Sequence, residues 1–474
     1  MAVSKAKLDR ALNPTTVAVV GAKKANGFNW LRNMSDLQGK LYSVHVNPDH
    51  GEEIQKEFNI ENYANIKDIP DEIDYVVVSV PRAAAPQVLR DCIAKNVGGV
   101  GMFTSGFAET KEPEGIELQN EITEIAREGD VALLGPNCMG LYNPQKGVRF
   151  SQEQSIENVG SVAFISQSGG HAGSFATAAK ARNIGINKVI SFGNGVVLEN
   201  ADYLEYLGQD DSVEVIGMYI EGLKDGKRFF NVLKQVASKK PVVIWKGGQT
   251  PQGQRATASH TGSLAESIDM WDVVIRQCGA IRADNLEETV DIIKALSTLP
   301  SVQGSKVGLI GGSGGQSVSM SDAFGKEGLD VPPLSESSYD TLRGFFRQIG
   351  ASYMNPMDVG GMNREQLQTI MDILINDPNI DLVLGQITPS SMRNNRFNQG
   401  IETLLTVLSR TKENVSKPIA CMLITPDPYG QGQELFDLEQ RLQQANITSF
   451  PSYERAAKAM ARMVNYYKNQ SQSI

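Results

Sequence analysis

The sequence predicts an α/β protein built from doubly wound parallel sheets, and two patterns carry that prediction. Short apolar runs recur along the 474 residues, with helical patterns between them. The clearest are Val17-Ala-Val-Val20, Tyr75-Val-Val-Val78, Val162-Ala-Phe-Ile165, Val213-Glu-Val-Ile216, Val242-Val-Ile-Trp245, Val307-Gly-Leu-Ile310 and Leu382-Val-Leu384. Most are continuous rather than alternating, as expected of strands buried on both faces beneath helices. The second pattern is internal repetition. Val17-Ala-Val-Val-Gly-Ala22, Val162-Ala-Phe-Ile-Ser-Gln-Ser-Gly-Gly170 and Val307-Gly-Leu-Ile-Gly-Gly-Ser-Gly-Gly315 each read strand, small-residue turn, helix. Their starts stand about 145 residues apart, the size of one domain.

The length itself suits about three domains at roughly 150 residues each. Polar stretches near residues 146–160 and 297–304 serve as boundaries, giving units 1–145, 150–298 and 304–468. Hydrophobic residues at 41% and charged residues at 21% describe an ordinary globular chain with substantial cores. A net charge of −9 with no basic stripe argues against nucleic acid and anionic membrane surfaces as partners. Cys92, Cys138, Cys278 and Cys421 are scattered, which indicates neither a disulfide framework nor a zinc site. Each reads as a small buried hydrophobe, and no tightly bound metal is expected in this chain. With no apolar signal core near the start and no run approaching ~18 apolar residues, the expected location is the cytoplasm.

In the first unit, the initial strand leads into Gly21-Ala22-Lys23-Lys-Ala-Asn-Gly27, a glycine-flanked basic loop suited to a diphosphate at a helix start. It is not a full G-x-G-x-x-G pattern, and the second strand ends in Val44-His-Val-Asn47-Pro48 rather than in a ribose-binding acid. Later strands end in Ser79-Val80-Pro81-Arg82, Thr104-Ser105-Gly106-Phe-Ala-Glu109 and Gly135-Pro-Asn137-Cys138. Small, Pro and amide residues at every strand end suit a backbone lying close to a ligand. The competing reading is simple turn punctuation. His45 and His50, with no Cys or second carboxylate at ligand spacing, read as structural or exposed.

In the second unit, Ser166-Gln167-Ser168-Gly169-Gly170 joins a buried strand to an Ala-rich helix. Unsatisfied N–H groups at such a start attract anions, although the lysine of a nucleotide P-loop is missing. His171 either touches the same anion or is an ordinary first-turn residue. Glu221 ends a strand expected to be central and buried, where an acid without a partner is costly. His260, one of only four histidines, lies in Arg255-Ala-Thr-Ala-Ser-His260-Thr-Gly-Ser-Leu-Ala265, between Lys246-Gly-Gly248 and a helical pattern starting near Leu264. Small hydroxyl-bearing neighbours predict a polar loop, from which an imidazole can attack a phosphorus centre. A carboxylate at Glu221 accepting one imidazole N–H would leave the other nitrogen as nucleophile. A surface-loop histidine is the plainer reading of the loop alone. In the third unit, Ser313-Gly314-Gly315 repeats the small-residue turn. Asn355-Pro-Met-Asp358 offers either turn chemistry or a site wall, and helices are expected over 365–376 and 453–467.

Taken in order, Asn47-Pro48, Gly106-Phe-Ala-Glu109, Gly135-Pro-Asn137, Ser166-Gln-Ser-Gly169, Gly193-Asn194, Tyr219-Ile-Glu-Gly222, Lys246-Gly-Gly248 and Ser259-His-Thr-Gly-Ser-Leu-Ala265 resemble the NDP-forming (ADP-forming) acyl-CoA synthetases. The likeness is to α subunits of the ADP-forming acetyl-CoA type and, more distantly, to the succinyl-CoA synthetase α subunit. The resemblance implies a Rossmann-type CoA-binding domain followed by two flavodoxin-like ligase domains. It implies the reaction of acid, ATP and CoA to acyl-CoA, ADP and phosphate, through an acyl phosphate and a phosphohistidine. His260 then corresponds to the phosphorylated histidine and Glu221 to its orienting carboxylate. Residues 166–170 and 313–315 correspond to phosphate cradles. Gly21, Ala22, Lys23, Gly27, Asn47, Pro48, Val80, Pro81, Ser105, Gly106 and Asn137 fall where the family holds CoA. Gly193, Asn194 and His171 fall near the acid. Three positions depart from the family pattern: Lys23 replaces Ser, Gly170-His171 follows Ser168-Gly169 where the family has Ala, and Glu266 replaces Gly. The last two leave the identity of the carboxylic acid open.

Three α/β units use up the chain, so the resemblance also implies a separate ATP-grasp β subunit carrying ATP or ADP and Mg, in an α2β2 assembly. Two other functions share the fold: a non-catalytic CoA-binding regulatory or scaffold protein, and an NAD-dependent oxidoreductase. The missing third glycine and ribose acid argue against the latter, and the Glu221–His260 pairing favours catalysis over the former.

Overall fold

A computed structural model describes residues 3–261, 268–311, 313–346, 352–359, 362–388, 402, 405–409, 411, 417–425, 427 and 429–472, with the backbone alone at 258–261, 268, 269 and 472. The chain divides into two compact units, Met1–Thr289 and Val290–Ile474.

The first unit holds two sheets. One contains β1 (Thr16–Val20), β2 (Lys40–Val44), β3 (Asn62–Tyr63), β4 (Tyr75–Val78), β5 (Gly99–Met102) and β6 (Ala132–Leu134). Their order is β3-β2-β1-β4-β5-β6, and every pairing is parallel. This is the doubly wound arrangement of Rossmann folds, with its switch in strand order between β1 and β4, where ligands enter at the carboxyl ends. Tyr75–Val78 is buried throughout, in keeping with its unbroken apolar run.

The second sheet contains β7 (Gly140–Tyr142), β8 (Val159–Ser166), β9 (Ile186–Ser191), β10 (Val215–Ile220), β11 (Val242–Lys246) and β12 (Ile281–Ala283), in the order β12-β11-β10-β8-β9-β7. Five strands form a parallel, flavodoxin-like sheet. Strand β7 joins its edge antiparallel to β9. The chain thus passes from the last strand of the first sheet straight onto the edge of the second. The expected strand at 213–216 begins two residues later and runs to Ile220, buried along its whole length. That places Glu221 immediately beyond a strand flanked by β8 and β11.

The other unit holds β13 (Val307–Gly311), β14 (Met357–Asp358), β15 (Leu382–Ile387), β16 (Ile419–Leu423) and β17 (Thr448–Phe450). The order β14-β13-β15-β16-β17 is again flavodoxin-like and all parallel. Helices Arg364–Asn376 and Tyr453–Gln472 cover it, as their apolar periodicity predicts. The core of this unit gathers Leu374, Ile370, Val383, Leu342, Cys421 and Leu438. Each such aliphatic side chain taken from water contributes about 1.5–3 kcal/mol. The Asn355 amide stitches the unit together. Its Oδ1 accepts from Leu309 N (2.9 Å), and its Nδ2 donates to Val307 O (2.8 Å) and Pro332 O (2.9 Å). Turn chemistry is therefore its visible role.

One expectation needs correction. The polar loop expected around His260 is an α-helix, Pro251–Thr261, with His260 in its last turn. Thr250 explains it: its Oγ1 accepts from Gly253 N (3.1 Å), its carbonyl accepts from Gln254 N (2.8 Å), and Pro251 occupies the first helical position. Pro is pre-organised for that position and loses no hydrogen bond there. The His260 side chain and residues 262–267, which include most of Thr261-Gly-Ser-Leu-Ala265, lie outside the description. Among the described residues, no helix is long and apolar enough to cross a membrane.

Candidate active site

The turn after β8 is built from its own hydroxyls. Ser166 pairs in register with Tyr219 of β10 and Ser191 of β9, so the carboxyl ends of three strands lie side by side. Ser166 is fully buried and donates to Ser168 O (2.7 Å), while its Oγ accepts from Ser168 N (3.1 Å). Its hydroxyl shapes the turn rather than facing a ligand. Ser168 is the N-cap of helix Gly169–Ala181, its Oγ accepting from His171 N (3.3 Å). The first N–H groups of that helix, at Gly169 and Gly170, have no acceptor within it, as at any helix start.

A cavity of about 240 Å³ opens against this helix start. It is lined by Gln167, Ser168, Gly169 and Gly170 from the turn, and by Gly193 and Asn194 after β9. Phe103 and Ser105 after β5, and Asn137, Cys138 and Met139 between β6 and β7, close it from the side of the first sheet. Eight residues expected at a site from the sequence thus meet in one space. Gly193 is needed there: its φ is +52°, and a Cβ would stand 2.2 Å from Asn137 O. The Cys138 thiol is buried and donates to Leu134 O (3.3 Å), and burial pushes its pKa up to about 12. It is a packing group rather than a nucleophile.

Beside the turn, Glu221 is 7% exposed and its Oε1 accepts from Tyr219 OH (3.2 Å). Gln167 Oε1 accepts the backbone N–H of Glu221 and of Gly222, tying the cradle to the acid. Lys246 Nζ donates to Glu221 O (2.8 Å) and Gly247 O (2.6 Å). The His171 ring packs 4.3 Å from Tyr219 and 4.4 Å from Trp245. Burial lowers its pKa, and the nearby Glu221 charge partly offsets that. His171 is thus an aromatic neighbour of the acid and does not line the cavity. Sequence reading missed this cluster, because Tyr219 and Trp245 are ordinary strand residues until registers align them.

A second cavity, of about 420 Å³, lies at the switch point of the first sheet. Gly21, Lys23, Val80 and Pro81 line it as expected, joined by His45, Gln87 and Asp91, which the sequence reading did not assign. Gly21 adopts φ +86°, and a Cβ there would stand 2.6 Å from Ser79 O and 2.7 Å from Val80 Cγ1. His45 Nδ1 accepts from Asn47 N (3.1 Å), which leaves Nε2 to carry the proton toward His50 Nδ1 at 3.2 Å. Burial lowers the pKa of His45, and His50 lowers it further. The other expected contacts sit nearby but serve the backbone. Asn47 caps helix Pro48–Phe58, Ala22 is buried, Gly27 closes a short 3₁₀ turn in left-handed backbone, and Gly106 gives its N–H to Glu109. In the other unit, Ser313, Gly314 and Gly315 form an exposed helix start, with Ser313 Oγ donating to Gln316 Oε1 (3.1 Å).

Comparison with known proteins agrees with these two sheets. Residues 15–144 match the CoA binding domain family, and residues 159–296 match the succinyl-CoA ligase like flavodoxin domain. The chain is 32% identical to the α subunit of acetate–CoA ligase (ADP-forming) II from Pyrococcus furiosus, over 98% of each chain. It is 31% identical to acetate–CoA ligase (ADP-forming) I from Archaeoglobus fulgidus, covering 97% of this chain and 64% of that protein. Among solved structures, dinucleotide forming acetyl-coenzyme A synthetase 1 of Ca. Korarchaeum cryptofilum, in complex with phosphate and ADP, matches with a TM-score of 0.85. That match has 27% identity and covers 98% of this chain and 99% of that chain. With such likeness along nearly its whole length, the chain belongs to the ADP-forming acyl-CoA synthetase family and aligns with that family's α subunits.

Proposed function

We propose that this chain is the α subunit of an ADP-forming acid–CoA ligase, interconverting a small carboxylic acid, ATP and CoA with acyl-CoA, ADP and phosphate. The observation that carries the reading is the first cavity, where a Ser-capped helix start meets the amides of Asn137 and Asn194, one turn away from a buried acid. A helix N-terminus with free N–H groups stabilises phosphoryl oxygens, and amide side chains suit a carboxylate or acyl oxygen. CoA would lie along the carboxyl edge of the first sheet. Its nucleotide end would occupy the cavity of Gly21, Lys23 and His45, and its thiol would reach toward Ser105 and Asn137.

In this reading His260 carries the phosphoryl group and Glu221 orients its imidazole. The acid's oxygen attacks the phosphohistidine, giving an acyl phosphate and restoring the histidine. The CoA sulfur then attacks the acyl carbon and phosphate leaves, held by Gln167, Ser168, Gly169 and Gly170. Ser313, Gly314 and Gly315 would make the corresponding helix start in the third of three domains, divided near residues 145–150 and 298–304. The Archaeoglobus relative is longer than this chain, which spans 64% of it, whereas the Pyrococcus α subunit is matched over 98% of its length. The likeness to a protein named as an α subunit supports a partner β subunit, and the reading is completed by an ATP-grasp fold on that partner holding ATP or ADP with Mg, in an α2β2 enzyme of the cytoplasm. The test is transfer of label from γ-labelled ATP in the reconstituted pair. Label is expected on His260, with complete loss of label and turnover in His260→Ala, since a covalent relay has no substitute route. Undiminished labelling in that variant would remove the histidine from the mechanism.

A further inference from the structure

The first cavity is walled on one side by two primary amides, and an amide offers either an oxygen or an NH2 depending on how it is turned. Several contacts fix where the Asn194 loop lies. Lys224 Nζ donates to Asn194 O (3.2 Å) and Gly195 O (2.7 Å), and Asn194 N donates to Pro136 O (3.0 Å). None of these decides which way the Asn194 side chain faces. Glu109, in the short turn after β5, does. Its Oε1 accepts from the backbone N–H of Gly106 (2.6 Å) and Phe107 (3.1 Å), and its Oε2 lies 2.7 Å from Asn194 Nδ2. The two backbone donors take Oε1, and the remaining oxygen of a carboxylate only accepts. Asn194 must turn its NH2 toward Glu109, and its Oδ1 then faces Asn137 Nδ2 at 3.4 Å. The second acceptor of Asn194 Nδ2, Gln119 Oε1 at 2.9 Å, imposes nothing, because that amide can itself turn over.

We propose that Glu109 is a positioning residue which, through Asn194, sets the donor–acceptor sense that Asn194 and Asn137 offer to an acyl group in the cavity. The proposal rests on the ligase reading above. Glu109 does not line the cavity, so it acts on the acyl group only through the two amides. Replacing it by Gln keeps its size, but the new NH2 would face the NH2 of Asn194. Asn194 relieves that conflict by turning over, which reverses the pattern presented to Asn137 and to the cavity.

The test is titration calorimetry on the full chain with CoA and acetyl-CoA as probes, since the ratio of their affinities isolates the acyl group. In Glu109→Gln the ratio should move against acetyl-CoA by about 3- to 10-fold, the worth of one neutral hydrogen bond. In Glu109→Gln/Asn194→Asp, the new amide at 109 donates to the new carboxylate at 194, whose other oxygen still faces Asn137 Nδ2 as Asn194 Oδ1 does, and the ratio should return to within about 2-fold of the unmodified chain. A mere strut between the sheets would behave differently. Glu109→Gln would then weaken both probes alike and leave their ratio unmoved, which overturns the proposal. If the single variant fails to fold, the double variant alone decides, because a shifted ratio there is equally fatal. An unmodified chain that binds neither probe refutes the ligase reading and this inference with it. Binding of both probes with an unchanged ratio in Glu109→Gln refutes the inference alone.

Discussion

The two glycines that bracket the first basic loop provide a controlled comparison. Both have positive φ, +86° at Gly21 and +64° at Gly27, so alanine at either position meets left-handed strain of about 1–2 kcal/mol. Their surroundings differ. Around Gly27 nothing lies within 4 Å of a built Cβ, whereas at Gly21 it would stand 2.6 Å from Ser79 O and 2.7 Å from Val80 Cγ1. Ser79 O is backbone just past β4, on the residue whose N–H donates to Val20 O of β1 (2.9 Å), and it cannot swing aside as a side-chain tip can. Overpacking of this kind adds about 1–3 kcal/mol. Gly21→Ala should therefore cost about 2–5 kcal/mol and Gly27→Ala about 1–2 kcal/mol, read from urea denaturation monitored by circular dichroism. The same contrast should appear in ligand binding, because Gly21 lines the second cavity and Gly27 does not. CoA affinity by calorimetry should fall at least about tenfold in Gly21→Ala and stay within about twofold in Gly27→Ala, a gap of about 1 kcal/mol or more. Equal effects of the two substitutions would refute the idea that close approach of β1 and β4, rather than backbone freedom alone, demands glycine at position 21.

Two further outcomes follow from local geometry. Asn355→Ala leaves Leu309 N, Val307 O and Pro332 O without their side-chain partner, and should destabilise by about 3 kcal/mol in denaturant titrations. A loss under about 1 kcal/mol would mean that water replaces the amide. Burial lowers the pKa of His45, with His50 adding to the effect, and burial lowers that of His171 against the pull of Glu221. The unfolded chain therefore takes up these protons first as pH falls. Stability is full above the ordinary histidine value of 6.5 and declines as pH drops from there through the lowered native values. Urea midpoints between about pH 7.5 and 5.5 should show that decline, and a His45→Gln/His171→Phe variant should flatten it. An unchanged slope in the variant would assign the decline to other groups.

What the sequence determined by itself is the local part of this protein. Unbroken apolar runs such as Tyr75–Val78 and Val162–Ile165 dictate buried parallel strands, because only strands covered on both faces can afford them. Small residues after those runs dictate tight strand-to-helix turns, and Ser166–Gly170 was legible as a helix start for that reason. The ordered motifs also made the family legible. The tertiary structure decided which of these turns share a space. Asn137 and Asn194 stand 57 residues apart and meet because the chain leaves the first sheet after β6 and pairs β7 with β9 at the edge of the second. The Glu109–Asn194 contact spans 85 residues and depends on the same crossing. His45 looked incidental in sequence, but the parallel register of β1 and β2 carries it to the wall of a cavity. The helix through His260 was missed because its Thr250-Pro251 start outweighs the small hydroxyl-bearing residues that suggested a loop. Periodicity records how one stretch is buried, whereas a site depends on strand registers and crossings between sheets, which no local pattern encodes.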